Sequence, residues 1–262
     1  MVLLALGIVV GLLGGLTGLG GAIIALPMML WLGWNLSDAV PIVLSGTFLA
    51  AICSLIVLWG RVYLRYRLAL LMAAASIPCA VLGHRLIQYM PASAVEAALC
   101  LLLAVLGLMG VGRAFGRATA QFPQPISLNP GTGRLAWNMS TVIAASGIGG
   151  TGGFAAGLFG LGGSFVIAPF LRALSKLDAS SVLATTLMTV ALISGSAVTI
   201  IGFTAQNISG WNIAPYALGA VSGALIGSRV SIALPGAIAD GLLPILLLGL
   251  AAMTAVRVLG GA

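Results

Sequence analysis

Apolar positions fill this chain in long uniform stretches that leave no regular polar face. Runs of roughly 20 residues, the length that spans a bilayer as a helix, recur at 38–60, 67–90 and 93–114, and again at 179–204, 211–233 and 237–259. Each set of three follows a longer apolar segment, 2–33 or 138–175, that a cluster of glycines interrupts. Ser37-Asp38 and Asp178 mark helix starts for the second stretches, because acids favour the positive N-terminal end of a helix dipole. Glu96 and Asp240 fall in the first turn of the fourth stretches and read the same way, with proton coupling as the sharper alternative. The third stretches run to a Gly-x-Arg pair, Gly83-His84-Arg85 and Gly227-Ser228-Arg229, and a proline, Pro91 or Pro235, follows.

The pattern repeats because the chain does. Gly15-Leu16-Thr17-Gly18-Leu19-Gly20-Gly21 and Gly157-Leu158-Phe159-Gly160-Leu161-Gly162-Gly163 agree at six of seven positions, and Pro27 and Pro169 follow at the same distance. The offset of 142 also pairs Ser54 with Ser196 and Gly60 with Gly202; a shift to 144 pairs Arg85 with Arg229 and Glu96 with Asp240. Two homologous membrane repeats are expected at 1–115 and 136–262. Residues 116–135, with Pro123, Pro125 and Pro130, read as a cytoplasmic linker loop.

Composition narrows the class. Only 6% of residues are charged and 61% are hydrophobic, against about a quarter charged in a soluble domain. The fold class expected is an all-α polytopic membrane protein. The first apolar stretch lacks a basic leader and more spans follow, so no cleaved signal peptide is expected. The net charge of +7 has no soluble basic domain to carry it to nucleic acid, and reads as positive-inside loop bias. If each half crossed the membrane four times, seven of eleven Lys/Arg would lie inside; with an odd number of crossings and inverted halves, nine would. Arg61, Arg65 and Arg67 crowd one loop while the matching loop 204–210 has no basic residue, which also favours inverted repeats. Each repeat is then a glycine-broken helix pair plus three transmembrane helices. The broken pair either enters and returns on one side or crosses with an extra short helix.

The chemistry available is that of an anion site. A helix that starts inside the membrane leaves N–H groups free, tolerated only beside protein or a wet cavity. With the positive dipole end they bind anions without a charged side chain. Paired glycine breaks in corresponding halves point to a transporter binding site. The glycines equally permit close helix packing, and both roles can hold. Hydroxyls gather beside them: Ser45, Thr47 and Ser54 in one half, Thr185, Thr186, Thr189 and Ser196 in the other. Arg85 and Arg229 lie at helix ends, where snorkelling to the interface competes with anion contact, while His84, the one histidine, reads as a partly exposed helix-end residue with proton transfer as the sharper alternative. Few deep carboxylates argue against a cation pump. One histidine, four carboxylates and no HExxH or GxSxG leave no catalytic constellation. Cys53, Cys79 and Cys100 lack metal or redox spacing, and neither cofactor nor metal is expected.

The duplicated G-L-x-G-L-G-G-[AS], with proline six residues on, resembles the TauE/SafE family of sulfite exporters across nearly the whole chain outside the linker. Val182–Leu187 is similar to that family's A-x-A-T-S-L segment, with Thr186 where serine is usual. The resemblance implies a secondary transporter in the bacterial inner membrane that exports sulfite or a small sulfur-containing organic anion. The partners it implies are that anion and the lipid bilayer, with a homodimer allowed. The substrate-binding residues expected are Thr17, Gly18, Gly20, Gly21, Ser45 and Thr47 in the first repeat, and Gly160, Gly162, Gly163, Ser164, Thr185 and Thr186 in the second. Pro41-Ile42-Val43-Leu44 stands where the second repeat has Leu183-Ala184-Thr185-Thr186, so an asymmetric site is expected in which Ser45 and Thr47 substitute. An anion channel on the same site is the alternative.

Overall fold

The computed structural model describes residues 1–18, 21–34, 36–87, 89, 97–98, 100–102, 104–105, 107–108, 111, 124–127, 135–159, 162–204, 210–233, 248–249 and 251–252. The glycine-broken segments each form two helices: α1 (Val2–Thr17) and α2 (Ala22–Trp31), then α5 (Met139–Phe159) and α6 (Ser164–Leu174). The second and third stretches are α3 (Leu36–Leu58) and α4 (Tyr66–Ile87) in one half, α7 (Ala179–Thr204) and α8 (Gly210–Ala233) in the other. The described residues of 97–111 and 248–252 are helical as well. Among the described residues there is no strand, only an isolated bridge between Ile126 and Ser175. Helices α3, α4, α5, α7 and α8 contain apolar windows long enough to cross a membrane. The protein is therefore an all-α, multi-pass membrane protein.

Asp178 starts α7 as its sequence position suggests. The Ser181 amide donates to Asp178 Oδ2 at 3.3 Å, and the Ser180 hydroxyl donates to the same oxygen. Burial works to raise this carboxyl's pKa, but the hydrogen bonds from Ser180 and Ser181 outweigh it and hold the group below its ordinary value. Its stabilisation is therefore present at neutral pH and is lost as pH falls below the usual carboxylate range. Helix α3 begins two residues before Asp38, which sits in its first turn.

The broken segments are hairpins. Gly21, just before α2, lies against Val10 in the middle of α1; Gly163, just before α6, lies against Gly152 in the middle of α5. The second helix of each pair thus starts halfway back along the first. At its far end α6 returns to where α5 began: Ile126 N–H donates to Leu174 O, and the Thr141 hydroxyl donates to Pro125 O, both within 3.2 Å. In the first repeat, Gly18 at the end of α1 touches Leu183, in the same cluster as Leu58 at the end of α3. So α1 and α3 run in one direction, and α2 carries the chain back between them. Both broken segments enter and return on one side.

The repeats are inverted. Leu55 and Leu58, at the end of α3, share a pocket with Ala184 near the start of α7, while Phe48 meets Gly195 further along it. Equivalent helices α3 and α7 therefore run antiparallel, which a two-fold axis in the membrane plane requires. The fourth stretches meet across the same axis, Gly107 against Leu248 and Cys100 Sγ 3.4 Å from Ala251 O. Inversion places Arg61, Arg65, Arg67, Arg172, Lys176 and Arg229 at one end of the bundle. Among the described residues Arg85 is the basic side chain at the other.

Packing is exchanged between the repeats. Helix α1 lies along α8 and α5 along α4. Gly7, Gly11 and Gly15 share one face of α1, since positions four apart align, and press on the α8 backbone at Tyr216, Ala220 and Ala224. Gly149, Gly153 and Gly157 press in the same way on Met72, Ser76 and Ala80 of α4. The Ser76 hydroxyl adds a bond across that contact, to Gly149 O at 2.6 Å. Lipid tails offer no hydrophobic drive for helix association, so such van der Waals contact between bare backbones holds the bundle.

Gly11→Val and Gly153→Val should each lower thermal stability in detergent by at least about 1–3 kcal/mol, the range for overpacking, because a Cβ there overlaps the Ala220 or Ser76 carbonyl. Gly147→Ala, on the same helix as Gly153 but with open space at its Cβ, should be neutral or stabilising by up to about 1 kcal/mol. Equal effects at all three positions would mean that the stripe is not what holds the helices.

Candidate functional site

The site is built where the half-helices begin. Gly162 and Gly163 both hold φ near +70°, a conformation L side chains avoid, and Gly163 is the N-cap of α6. These two turns let the chain leave the end of α5, come back along it, and start a helix at mid-bundle. The Gly163 carbonyl accepts from Val166 and Ile167 at 3.1 Å, so α6 is wound from its first turn. Its positive dipole end thus lies inside the protein, with Gly162, Gly163 and Ser164 all buried. In the first repeat Gly18 ends α1 (φ 74°), its N–H donating to Gly14 O at 2.9 Å, and Gly21 (φ 58°) opens α2. Gly20 and Gly160 lie outside the described residues.

Ser194 faces this loop. A Cβ built on Gly162 would stand 3.3 Å from Ser194 Oγ and 4.0 Å from Leu44, so the hydroxyl lies beside the bare Gly162 backbone. Ser194 is fully buried and its hydroxyl makes no hydrogen bond. Thr186, eight residues earlier on α7, is equally buried and equally unpartnered, and so is Thr47 on α3. A buried hydroxyl without a partner costs about 1–3 kcal/mol, so these groups await something that can bond to them.

The other expected hydroxyls are differently placed. Thr185 Oγ1 donates to Ser181 O at 2.6 Å, Ser45 Oγ to Pro41 O at 2.7 Å and Thr17 Oγ1 to Leu13 O at 2.7 Å. These side chains use their protons on their own helices, the habit of Ser and Thr inside a helix. Their oxygens then have no proton to offer an anion. Sequence reading alone did not single out Ser194, because its position beside Gly162 comes from a turn in a different segment.

The described ends of the two loops reach α7 at different levels. Gly18 touches α7 at Leu183 and Gly162 touches it at Ser194, about 16 Å apart at 1.5 Å per residue. Thr186 lies between them. Beside the Gly18 end, at the basic end of the bundle, a pocket of about 230 Å³ is lined by Leu55, Leu58, Trp59, Tyr66 and Ala184 among others. Arg65 stacks over Tyr63 and Arg67 over Tyr66 along that rim, 5.9 and 5.8 Å from the ring centroids. His84, Arg85 and Arg229 are exposed near the ends of α4 and α8. Among the described residues no group of three or more His, Cys, Asp or Glu could hold a metal ion.

Inverted repeats whose half-helices begin inside the bundle, beside buried hydroxyls, are the architecture of a membrane transporter. The chain belongs to the sulfite exporter TauE/SafE family, whose model matches residues 3–257. No curated protein and no solved structure was found to match it.

Gly162→Ala should lower stability by about 1–2 kcal/mol through its left-handed backbone, with the Ser194 hydroxyl forced aside. Thermal unfolding beside Gly147→Ala checks this; a Gly162→Ala protein as stable as the parent would mean that the loop relaxes freely.

Proposed function

We propose that this protein is a secondary transporter that exports sulfite or a small sulfur-containing organic anion, a sulfonate or thiosulfate, across the bacterial inner membrane. The observation that carries the reading is the buried start of α6: two left-handed glycines and a helix N-terminus facing the unpartnered Ser194 hydroxyl. An oxyanion supplies acceptors to such donors, and backbone amides bind it without a lysine or arginine at membrane depth. The family supplies the substrate class. The first repeat offers the related glycines Gly18 and Gly21, and Thr186 is a further donor.

By the positive-inside rule the end with Arg61, Arg65, Arg67, Arg172, Lys176 and Arg229 faces the cytoplasm. The linker 116–135 then lies on that side, and the 230 Å³ pocket beside Ala184 is the vestibule through which anions reach Gly18 and Thr186. The expected motion is rocking of one repeat against the other. The halves at 1–115 and 136–262 are the units that rock only in part, since α1 and α5 are each bound to the opposite repeat.

Labelled sulfite uptake into proteoliposomes tests the reading, with and without sulfite, thiosulfate, sulfate or a short sulfonate preloaded inside. Saturable uptake that a preloaded anion accelerates is expected. Uptake that grows linearly and ignores preloading would make the protein an anion channel; no uptake of any sulfur anion would remove the substrate. Ser194→Ala and Thr186→Val should fold normally yet lose about tenfold or more in anion affinity, since a hydrogen bond to a charged group contributes about 1.5–3 kcal/mol. Gly162→Leu should abolish uptake.

A further inference from the structure

A second set of unpartnered hydroxyls lies away from the α6 loop, at the seam where α1, α3 and α8 meet. Thr47 and Ser54 are seven residues apart on α3 and so share one face. Tyr216 reaches them from α8, its ring laid on Gly46, where no side chain stands in its way. All three residues are at most 3% exposed, none of their hydroxyls makes a hydrogen bond, and all three line one cavity with Gly11, Gly14 and Gly15 of α1. The cavity measures about 10 Å³, the lower limit of what holds one water and too small for a sulfur oxyanion.

The other repeat provides an internal control. At the equivalent positions Thr189 donates to Thr185 O at 2.9 Å and Ser196 to Ile193 O at 2.7 Å, so both hydroxyls are satisfied on their own helix. Tyr216 corresponds to Met72 and Gly46 to Met188, apolar residues that leave no phenol to satisfy. The polar cavity thus occurs on one side of the pseudo-two-fold axis and is not a by-product of the fold. Three hydroxyls offer three donors and several acceptors, enough for the two to four bonds that a buried water makes.

We propose that this cavity is a water site, in which one resident water bridges Thr47, Ser54 and Tyr216 and joins α3 of one repeat to α8 of the other. The water satisfies three groups that otherwise each lose a hydrogen bond on burial. It also keeps them satisfied when the helices shift, because a bridging water follows its partners where a direct bond would break. The site is independent of which anion the protein carries.

Radiolytic hydroxyl-radical footprinting of the intact protein in nanodiscs tests this, because radicals form from water in place. Tyr216 should be oxidised although it is fully buried, and Met72, equally buried with a more reactive thioether, should not be. Tyr216→Phe and Ser54→Ala should each lower the Tm by about 2–4 °C, the shift that one lost hydrogen bond gives in a chain of this size. A silent Tyr216 overturns the proposal. So does a Tm that rises on removing either hydroxyl, the result expected of a dry cavity whose unmade bonds are relieved.

Discussion

The structure depends on backbone lying against backbone along the glycine stripes. In a bilayer the helices gain nothing by hiding apolar side chains, so the association of α1 with α8, and of α5 with α4, must come from contact area. Glycines at four-residue spacing supply it: Gly7, Gly11 and Gly15 on one side, Gly149, Gly153 and Gly157 on the other. Each stripe grips the fourth helix of the opposite repeat, α8 or α4. Neither repeat is therefore a separate body, and the first helix of each is held in place by the other.

That grip makes the site possible. A half-helix starting at mid-bundle exposes polar backbone where no water from the membrane can reach it. It persists because the longer arm of its hairpin is clamped and because a glycine faces it at the return, Gly152 opposite Gly163. The heptapeptide thus does two jobs in sequence order. Its first glycine, Gly15 or Gly157, ends the packing stripe, and its later ones turn the chain back. Packing and the turn that opens the half-helix are successive uses of one motif.

Symmetry sets the frame and asymmetry the chemistry. Helices α3 and α7 cross antiparallel on the pseudo-two-fold axis, but their side chains differ. Thr186 and Ser194 of α7 correspond to Leu44 and Ile52 of α3, so the unpartnered hydroxyls beside the axis are unevenly shared. In the opposite sense, Thr47 and Ser54 stay unpartnered where Thr189 and Ser196 bond to their own helix. One repeat sets the free Ser194 hydroxyl beside the Gly162 loop, and the other turns Thr47 and Ser54 toward α8. An inverted-repeat bundle built this way has two faces that are alike in backbone and unlike in polarity.

Much of this was legible in the amino-acid sequence. Apolar run lengths determined α3, α4, α7 and α8 to within a few residues, because a span's length is fixed by the bilayer and not by its neighbours. The duplicated heptapeptide revealed the repeat, and the basic loop around Arg61, Arg65 and Arg67 pointed to inversion through charge alone. The capping role of Asp178 was readable because capping is local. Tertiary structure alone decided what depends on distant segments. It showed that the broken segments return on the side they enter, that each first helix packs on the other repeat, and that Gly18 and Gly162 touch α7 about 16 Å apart. It also separated the hydroxyls, leaving Thr186 and Ser194 free while Thr185 and Ser45 turn to their own helix carbonyls. Sequence lists the hydroxyls equally; only the neighbour that each meets, or fails to meet, tells them apart.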